Sequence, residues 1–299
     1  MKDSLIGYKV GVLLGEASNP FWREMELHYR CLASLMGLKI ECYWPSGVGQ
    51  ERAQLQTLEV MVESGFDLII INPINNRNLI EGIFKAKEQG IYVIDVGEKT
   101  DQERIKEATP YYVPIKTVDF YYQGVLGAKY IVDRLQSEGS HKVIIIEGRK
   151  GAMQSIKRSQ GAADTFSKYP SIQLIGKESA DFDRMKAKRI AEKIFREEPE
   201  IRAFFCVNDL MALGVAEVIR LFGRSDDEVI IVGVDFIQES MEAIKKGILN
   251  ASVAFSTESV AQVVLESALK VLKGEKIQNT FQVESKVINK NNIDKVLSR

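Results

Sequence analysis

Residues 10–43 read VGVLLGEASNPFWREMELHYRCLASLMGLKIECY, and the order of elements in this stretch decides the fold. Val10 to Leu14 is a short apolar run suited to a buried strand. Phe21 to Met36 carries apolar residues at helical spacing until Gly37 stops it, and Leu38 to Tyr43 is strand-like again. Working outward, Glu51 to Ser64 is an amphipathic helix with Leu55, Leu58 and Val62 on one stripe. Leu68 to Ile71 is a strand, Asn78 to Gln89 a helix ended at Gly90, and Ile91 to Val96 a strand. Strands alternating with helices of this length predict a parallel sheet covered on both faces.

The order then starts over. Val143 to Ile146 is a strand, Ser155 to Tyr169 a helix, Ile172 to Ile175 a strand and Met185 to Arg196 a helix. Ala203 to Val207, the helix Met211 to Phe222 and the strand Val229 to Val234 complete the series. Two successive series with the same order predict an α/β protein of two similar doubly wound parallel-sheet lobes. Ligands of such sheets bind outside the carboxyl ends of the strands, so a cleft between the lobes is the expected site. The loops concerned are Gly15 to Trp22, Asn72 to Asn76, Gly97 to Thr100, Gly148 to Arg158, Asn208 to Leu210 and Asp235 to Gln238.

Composition narrows the function. The 299 residues are 45% hydrophobic and 27% charged, which excludes disorder and collagen-like repeats and suits about two domains. Lys plus Arg number 40 against 41 Asp plus Glu, so the electrostatic footprint of a nucleic-acid or anionic-membrane binder is missing. Apolar runs such as Leu68 to Ile71 fall far short of the roughly 18 residues that span a bilayer, and no direct membrane insertion is expected. Cys31, Cys42 and Cys206 form no CxxC and are expected to be buried free thiols. With only His28 and His141, neither a His-rich metal site nor a catalytic triad is expected. The Lys186, Lys188 and Arg189 cluster reads as a solvated helix face.

Phosphate cradles are absent too. No GxGxxG follows a strand, Gly148-Arg-Lys-Gly151 is too short and too charged for a dinucleotide turn, and neither GxxxxGK[ST] nor GxSxG occurs. No cofactor, metal or catalytic residue is therefore expected. Glu16, Glu98 and Asp235 in the loops keep open one alternative, an enzyme using carboxylates as acid and base.

Ser18-Asn19-Pro20-Phe21-Trp22 after the first strand resembles a turn of the ribose-type periplasmic sugar-binding family. The likeness continues through Ile71-Asn72-Pro73, Ala180-Asp181-Phe182-Asp183-Arg184, Asn208-Asp209-Leu210-Met211-Ala212-Leu213-Gly214, Val232-Gly233-Val234-Asp235 and Val271-Leu272-Lys273-Gly274-Glu275. The related lac-repressor family shares this core but places a helix-turn-helix of roughly 60 residues before the first strand. Only a few residues precede Val10 here, so DNA binding through that module is not expected.

The resemblance implies ligand contacts from Asn19, Phe21 and Trp22, from Arg158 in Arg158-Ser-Gln-Gly161, and from Phe182, Asn208 and Asp235. Aromatic faces suit the C–H face of a sugar ring, and planar or forked polar groups suit vicinal hydroxyls. Each residue also has a structural reading. Phe21, Trp22 and Phe182 are candidate core aromatics, Arg158 a helix-surface charge, and Asn208 and Asp235 caps of the helices from Met211 and Glu239. Gly97-Glu98 stands where the ribose binders have Asp-Arg, and Phe255 replaces a Gln, which adds Glu98 and Phe255 to the expected site. Such a pocket suits an aldopentose, a hexose or a cyclitol, and Glu16 and Glu98 leave room for an amino sugar.

Family connectivity implies crossovers near Val118 to Asp119, Phe255 to Ser256 and Glu284 to Ser285. It gives lobes of 1–118 plus 256–284 and 119–255 plus 285–299, joined by a three-segment hinge. The expected function is an extracytoplasmic solute-binding protein, monomer or weak dimer, that closes on a small sugar or polyol. It would present that sugar to the permease of an ABC importer or to a sensor kinase or chemoreceptor. The start Met1-Lys2-Asp3-Ser4 lacks a secretory h-region, as a mature domain with its leader trimmed would, and equally as a cytoplasmic protein would.

Overall fold

The computed structural model describes residues 7–45, 50–135, 139–225 and 228–297. The chain divides into two compact units, Met1–Val118 with Ser256–Val283, and Asp119–Lys150 with Gln154–Phe255 and Glu284–Arg299; Gly151–Met153 group with the first.

The first unit runs β1 (Val10–Leu13), α1 (Pro20–Met36), β2 (Ile40–Tyr43), α2 (Gln50–Glu63), β3 (Leu68–Ile71), α3 (Ile80–Glu88), β4 (Tyr92–Val96), α4 (Gln102–Ile105) and β5 (Tyr112–Ile115). Its five strands are parallel in the order β2-β1-β3-β4-β5. All four residues of β1 and of β3 are buried, as strands covered on both faces must be. Leu58, Met61, Ile69, Ile71, Leu79 and Ile83 fill the core between sheet and helices. Gly37 closes α1 in the left-handed region at φ 70°, its N–H reaching Ala33 and Ser34 oxygens, which is why that helix ends where the sequence places its stop.

The second unit runs α5 (Phe120–Arg134), β6 (His141–Glu147), α6 (Met153–Phe166), β7 (Ile172–Ser179), α7 (Arg184–Glu197), β8 (Ala203–Cys206), α8 (Asp209–Leu221), β9 (Ile230–Val234), α9 (Gln238–Lys245) and β10 (Ala251–Phe255). After α10 (Thr257–Leu272), which packs on α1, the chain returns with β11 (Ser285–Asn289) and α11 (Ile293–Leu297). The sheet order is β11-β10-β9-β8-β6-β7. Without β11 the two sheets share one topology, so the expected repeat is real down to strand order.

Several expectations need correction. The second sheet is not wholly parallel: β11 pairs antiparallel with β10, Phe255 opposite Ser285. The strand expected at Ile172 to Ile175 extends to Ser179 as the other edge of its sheet, with a register irregularity at Val143/Ile144. Its second half is polar and largely exposed, so apolar periodicity could not reveal it. Elements β5, α5, β10 and α10 lie outside the two series read from the sequence; β5 carries Pro114, which is tolerated on this edge strand. Of the three thiols only Cys206 is buried, while Cys31 is exposed and Cys42 half-buried.

Candidate functional site

In the first unit the loop after β1 builds an aromatic corner. Asn19 caps α1, its Oδ1 accepting from the Phe21 N–H at 3.0 Å, and Pro20 occupies the first turn, where no N–H is needed. This cap orients the start of the helix, so Phe21 and Trp22 meet edge to face at 5.0 Å and 78°. Gly15 makes room for the indole, since a Cβ there would lie 2.5 Å from Trp22 Cε2. Both rings remain half-buried.

The loop after β4 supplies a cation that the sequence reading missed. Lys99 is 5% exposed, and its Nζ stands 5.0 Å from the centre of the Trp22 ring. The loop is folded by the wholly buried Asp95. Its Oδ1 accepts from Lys99 N at 3.2 Å, and its Oδ2 from Thr100 N at 2.8 Å and the Tyr112 hydroxyl at 2.7 Å. Burial first, then the Asp95 charge, pushes the Tyr112 hydroxyl far above its ordinary value, so it remains a donor. Glu98 lies exposed on the turn at φ 52°. Gln54 ties the neighbouring loops together, donating to Leu14 O and Asn72 O and accepting from Ile74 N.

The second unit is organised around Arg158. Helices α5 and α6 cross almost backbone to backbone, because Gly124 and Gly161 carry no Cβ: one on Gly124 would lie 2.0 Å from Arg158 O, and one on Gly161 2.0 Å from Tyr121 O. The crossing brings Gln123 Oε1 to within 2.8 Å of Arg158 Nε and the Phe120 ring to within 5.6 Å of its Cζ. Arg158 Nη1 donates to Val207 O at 2.8 Å and pairs with Asp235 Oδ1 at 3.1 Å. The two side chains are 4% and 7% exposed. Burial pulls the guanidinium below its ordinary value and Asp235 opposes that pull; the group stays charged.

Asp235 therefore does not cap the following helix. The residue preceding α9 is Ile237, with no side-chain cap, and the Asp235 carboxylate serves Arg158 instead. Asn208 does cap α8, its Oδ1 accepting from Met211 N at 3.1 Å, and is 1% exposed. Phe182 sits in the left-handed region at φ 63°, half-buried, against Gly148, where a Cβ would lie 2.2 Å from its Cζ. Phe255 is the half-buried last residue of β10.

The structure thus groups Asn19, Phe21 and Trp22 in one unit and joins Arg158 directly to Asp235 in the other. Lys99 and Gln123 were missed, and the Gly124 and Gly161 pair was the only sequence trace of the crossing that seats Gln123.

A family model described as a periplasmic binding protein domain matches residues 10–276. The D-allose-binding periplasmic protein of Escherichia coli is 31% identical over 266 residues, covering 89% of this chain and 85% of the relative. The ribose import binding protein RbsB of Bacillus subtilis is 26% identical over 280 residues, covering 94% and 87%. The fructose-binding periplasmic domain of a hybrid two-component system has the same fold, at TM-score 0.85 and 23% identity over 97% of this chain and 93% of that one. These relatives are binding proteins, not enzymes. No helix among the described residues is long and apolar enough to cross a membrane.

Proposed function

The chain belongs to the periplasmic binding protein family, and on that premise we propose that it binds one small hydroxylated molecule, a sugar or related polyol, and leaves it chemically unchanged. One observation carries the reading: Arg158 is buried, held by Gln123, Val207 O and Asp235, and so pre-set at the carboxyl end of a parallel sheet. A fixed guanidinium–carboxylate pair offers donors and acceptors at the spacing of vicinal hydroxyls and loses little freedom on binding. Phe21, Trp22, Phe182 and Phe255 are the aromatic side chains proposed to offer faces to the C–H side of a ring. Asn19, Asn208 and Lys99 complete the polar contacts, with Glu98 at the edge.

The chain passes between the units at Val118/Asp119, Phe255/Ser256 and Val283/Glu284. A ligand shifts such a protein between two conformational states by its differential affinity for them. The loaded form is then presented, outside the cytoplasm, to the permease of an ABC importer or to a sensor kinase or chemoreceptor. Aldoses such as allose and ribose are the first candidates, followed by cyclitols and amino sugars.

The test is a thermal-shift panel of pentoses, hexoses, cyclitols and amino sugars. One narrow group should raise the melting temperature, since a ligand at 100 times its Kd adds about 2.7 kcal/mol to the folded state. A flat panel, with scattering profiles unchanged by every sugar, would overturn the reading; turnover of a bound sugar seen by NMR would replace it with the enzyme alternative.

A further inference from the structure

We infer that Asp209 is a positioning residue for ligand binding: with Ser240 and Ser252 it holds the Asp235–Phe236 turn that presents the Asp235 carboxylate to Arg158. The inference rests on the proposed function in one respect, that Arg158 and Asp235 touch the ligand.

Asp235 at φ 109° and Phe236 at φ 59° both lie in backbone regions that residues with a Cβ adopt only when their surroundings impose them. The imposing contacts converge on Asp209. Its Oδ2 accepts from Ile237 N at 3.0 Å and from the Ser240 hydroxyl at 2.6 Å, and its Oδ1 accepts from the Ser252 hydroxyl at 2.8 Å. Ser252 Oγ in turn accepts from Phe236 N at 3.1 Å. One carboxylate thus fixes the two amides that follow Asp235, one directly and one through a serine.

The site is built for that group. Asp209, Ser240 and Ser252 are all fully buried, where a carboxylate without donors would be strongly unfavourable. Gly233 on β9 leaves the space, since a Cβ there would lie 2.1 Å from Asp209 Oδ1. All three side chains are closed off from solvent, so the product of the cluster is the geometry of the turn.

The titratable groups around Asp209 are Asp235 from the loop after β9, Arg158 from α6 and the Cys206 thiol at the end of β8. Burial, and then the Asp235 charge, push the Asp209 carboxyl up to about 7. Ionised, it accepts from all three donors through charge-assisted bonds. Protonated, one oxygen becomes a donor and an acceptor site is lost, so the turn is held less firmly below neutrality.

The experiment titrates D-allose and D-ribose calorimetrically into wild type, Asp209→Asn, Ser252→Ala and Ser240→Ala from about pH 6 to about pH 8, alongside amide hydrogen exchange of the sugar-free proteins. Wild-type affinity should fall as the pH drops through about 7. Ser252→Ala and Asp209→Asn should bind about tenfold more weakly at pH 8, the loss of one buried hydrogen bond, and Asp209→Asn should show no such pH step. Without sugar, exchange at the Phe236 and Ile237 amides should quicken in Asp209→Asn, and at Phe236 in Ser252→Ala, while β8 and β9 stay protected. Unchanged exchange at those amides in folded variants overturns the inference, as does an unchanged affinity and pH profile. Faster exchange in a protein whose wild type binds neither sugar upholds the role of Asp209 in the turn and counts against these sugars as ligands.

Discussion

A Cβ on Gly124 would come within 2.0 Å of the backbone oxygen of Arg158, so the seat of this buried guanidinium depends on a residue without a side chain. Because the obstacle is backbone, a larger residue at position 124 has no flexible group to displace. Gly124→Ala should push α5 and α6 apart, cost about 1–3 kcal/mol by overpacking, and separate Gln123 from Arg158. Chemical denaturation should show the loss, and sugar binding should fall further than stability does.

The Arg158–Asp235 pair changes what an alanine at 158 is expected to do. A surface arginine would be removed with little effect on the unliganded protein. In this structure Arg158→Ala removes the guanidinium beside a buried carboxylate and should destabilise the fold by about 3–5 kcal/mol. The double variant Arg158→Ala/Asp235→Ala should recover part of that stability and none of the ligand-induced rise in melting temperature. A double variant no more stable than the single one would refute the pairing argument.

Trp22 and Gly15 should behave as one unit. Trp22→Ala removes a half-buried ring and should abolish the ligand-induced shift with a small change in the unliganded melt. Gly15→Ala should reproduce that phenotype with the tryptophan still present, because the new Cβ would stand 2.5 Å from the indole and displace it. Indole fluorescence of Gly15→Ala, compared with wild type in buffer and with sugar, checks the displacement.

Asp209 predicts the sign of a pH effect on stability. Its folded-state value, about 7, lies above the ordinary 3.8, so the native state binds the proton more tightly than the unfolded chain. Its contribution is therefore fully present below about pH 4 and is lost as the pH rises toward 7, on the order of a few kcal/mol in all. Denaturation midpoints of Asp209→Asn measured from pH 4 to about pH 8 should lack that decline. A decline equal to wild type would mean that another group is responsible.

What the sequence by itself determined was local and periodic. Asn19-Pro20 and Gly37 mark the ends of α1 because capping involves only near neighbours, and the apolar runs at Leu68 to Ile71 and Val143 to Ile146 announce buried strands because both their faces are covered. The repeated order of elements foretold two parallel-sheet lobes, and motif likeness pointed to the residue types of a sugar site. The tertiary structure alone decided which charges meet. Asp235 was open to a capping role or a ligand role until folding set it beside Arg158, and Lys99 had no marker until the Asp95 cluster folded its loop toward Trp22. The second half of the edge strand β7 and the whole of β11 were hidden for a related reason: a half-exposed edge carries little apolar pattern, and its pairing is written in a partner strand distant along the chain.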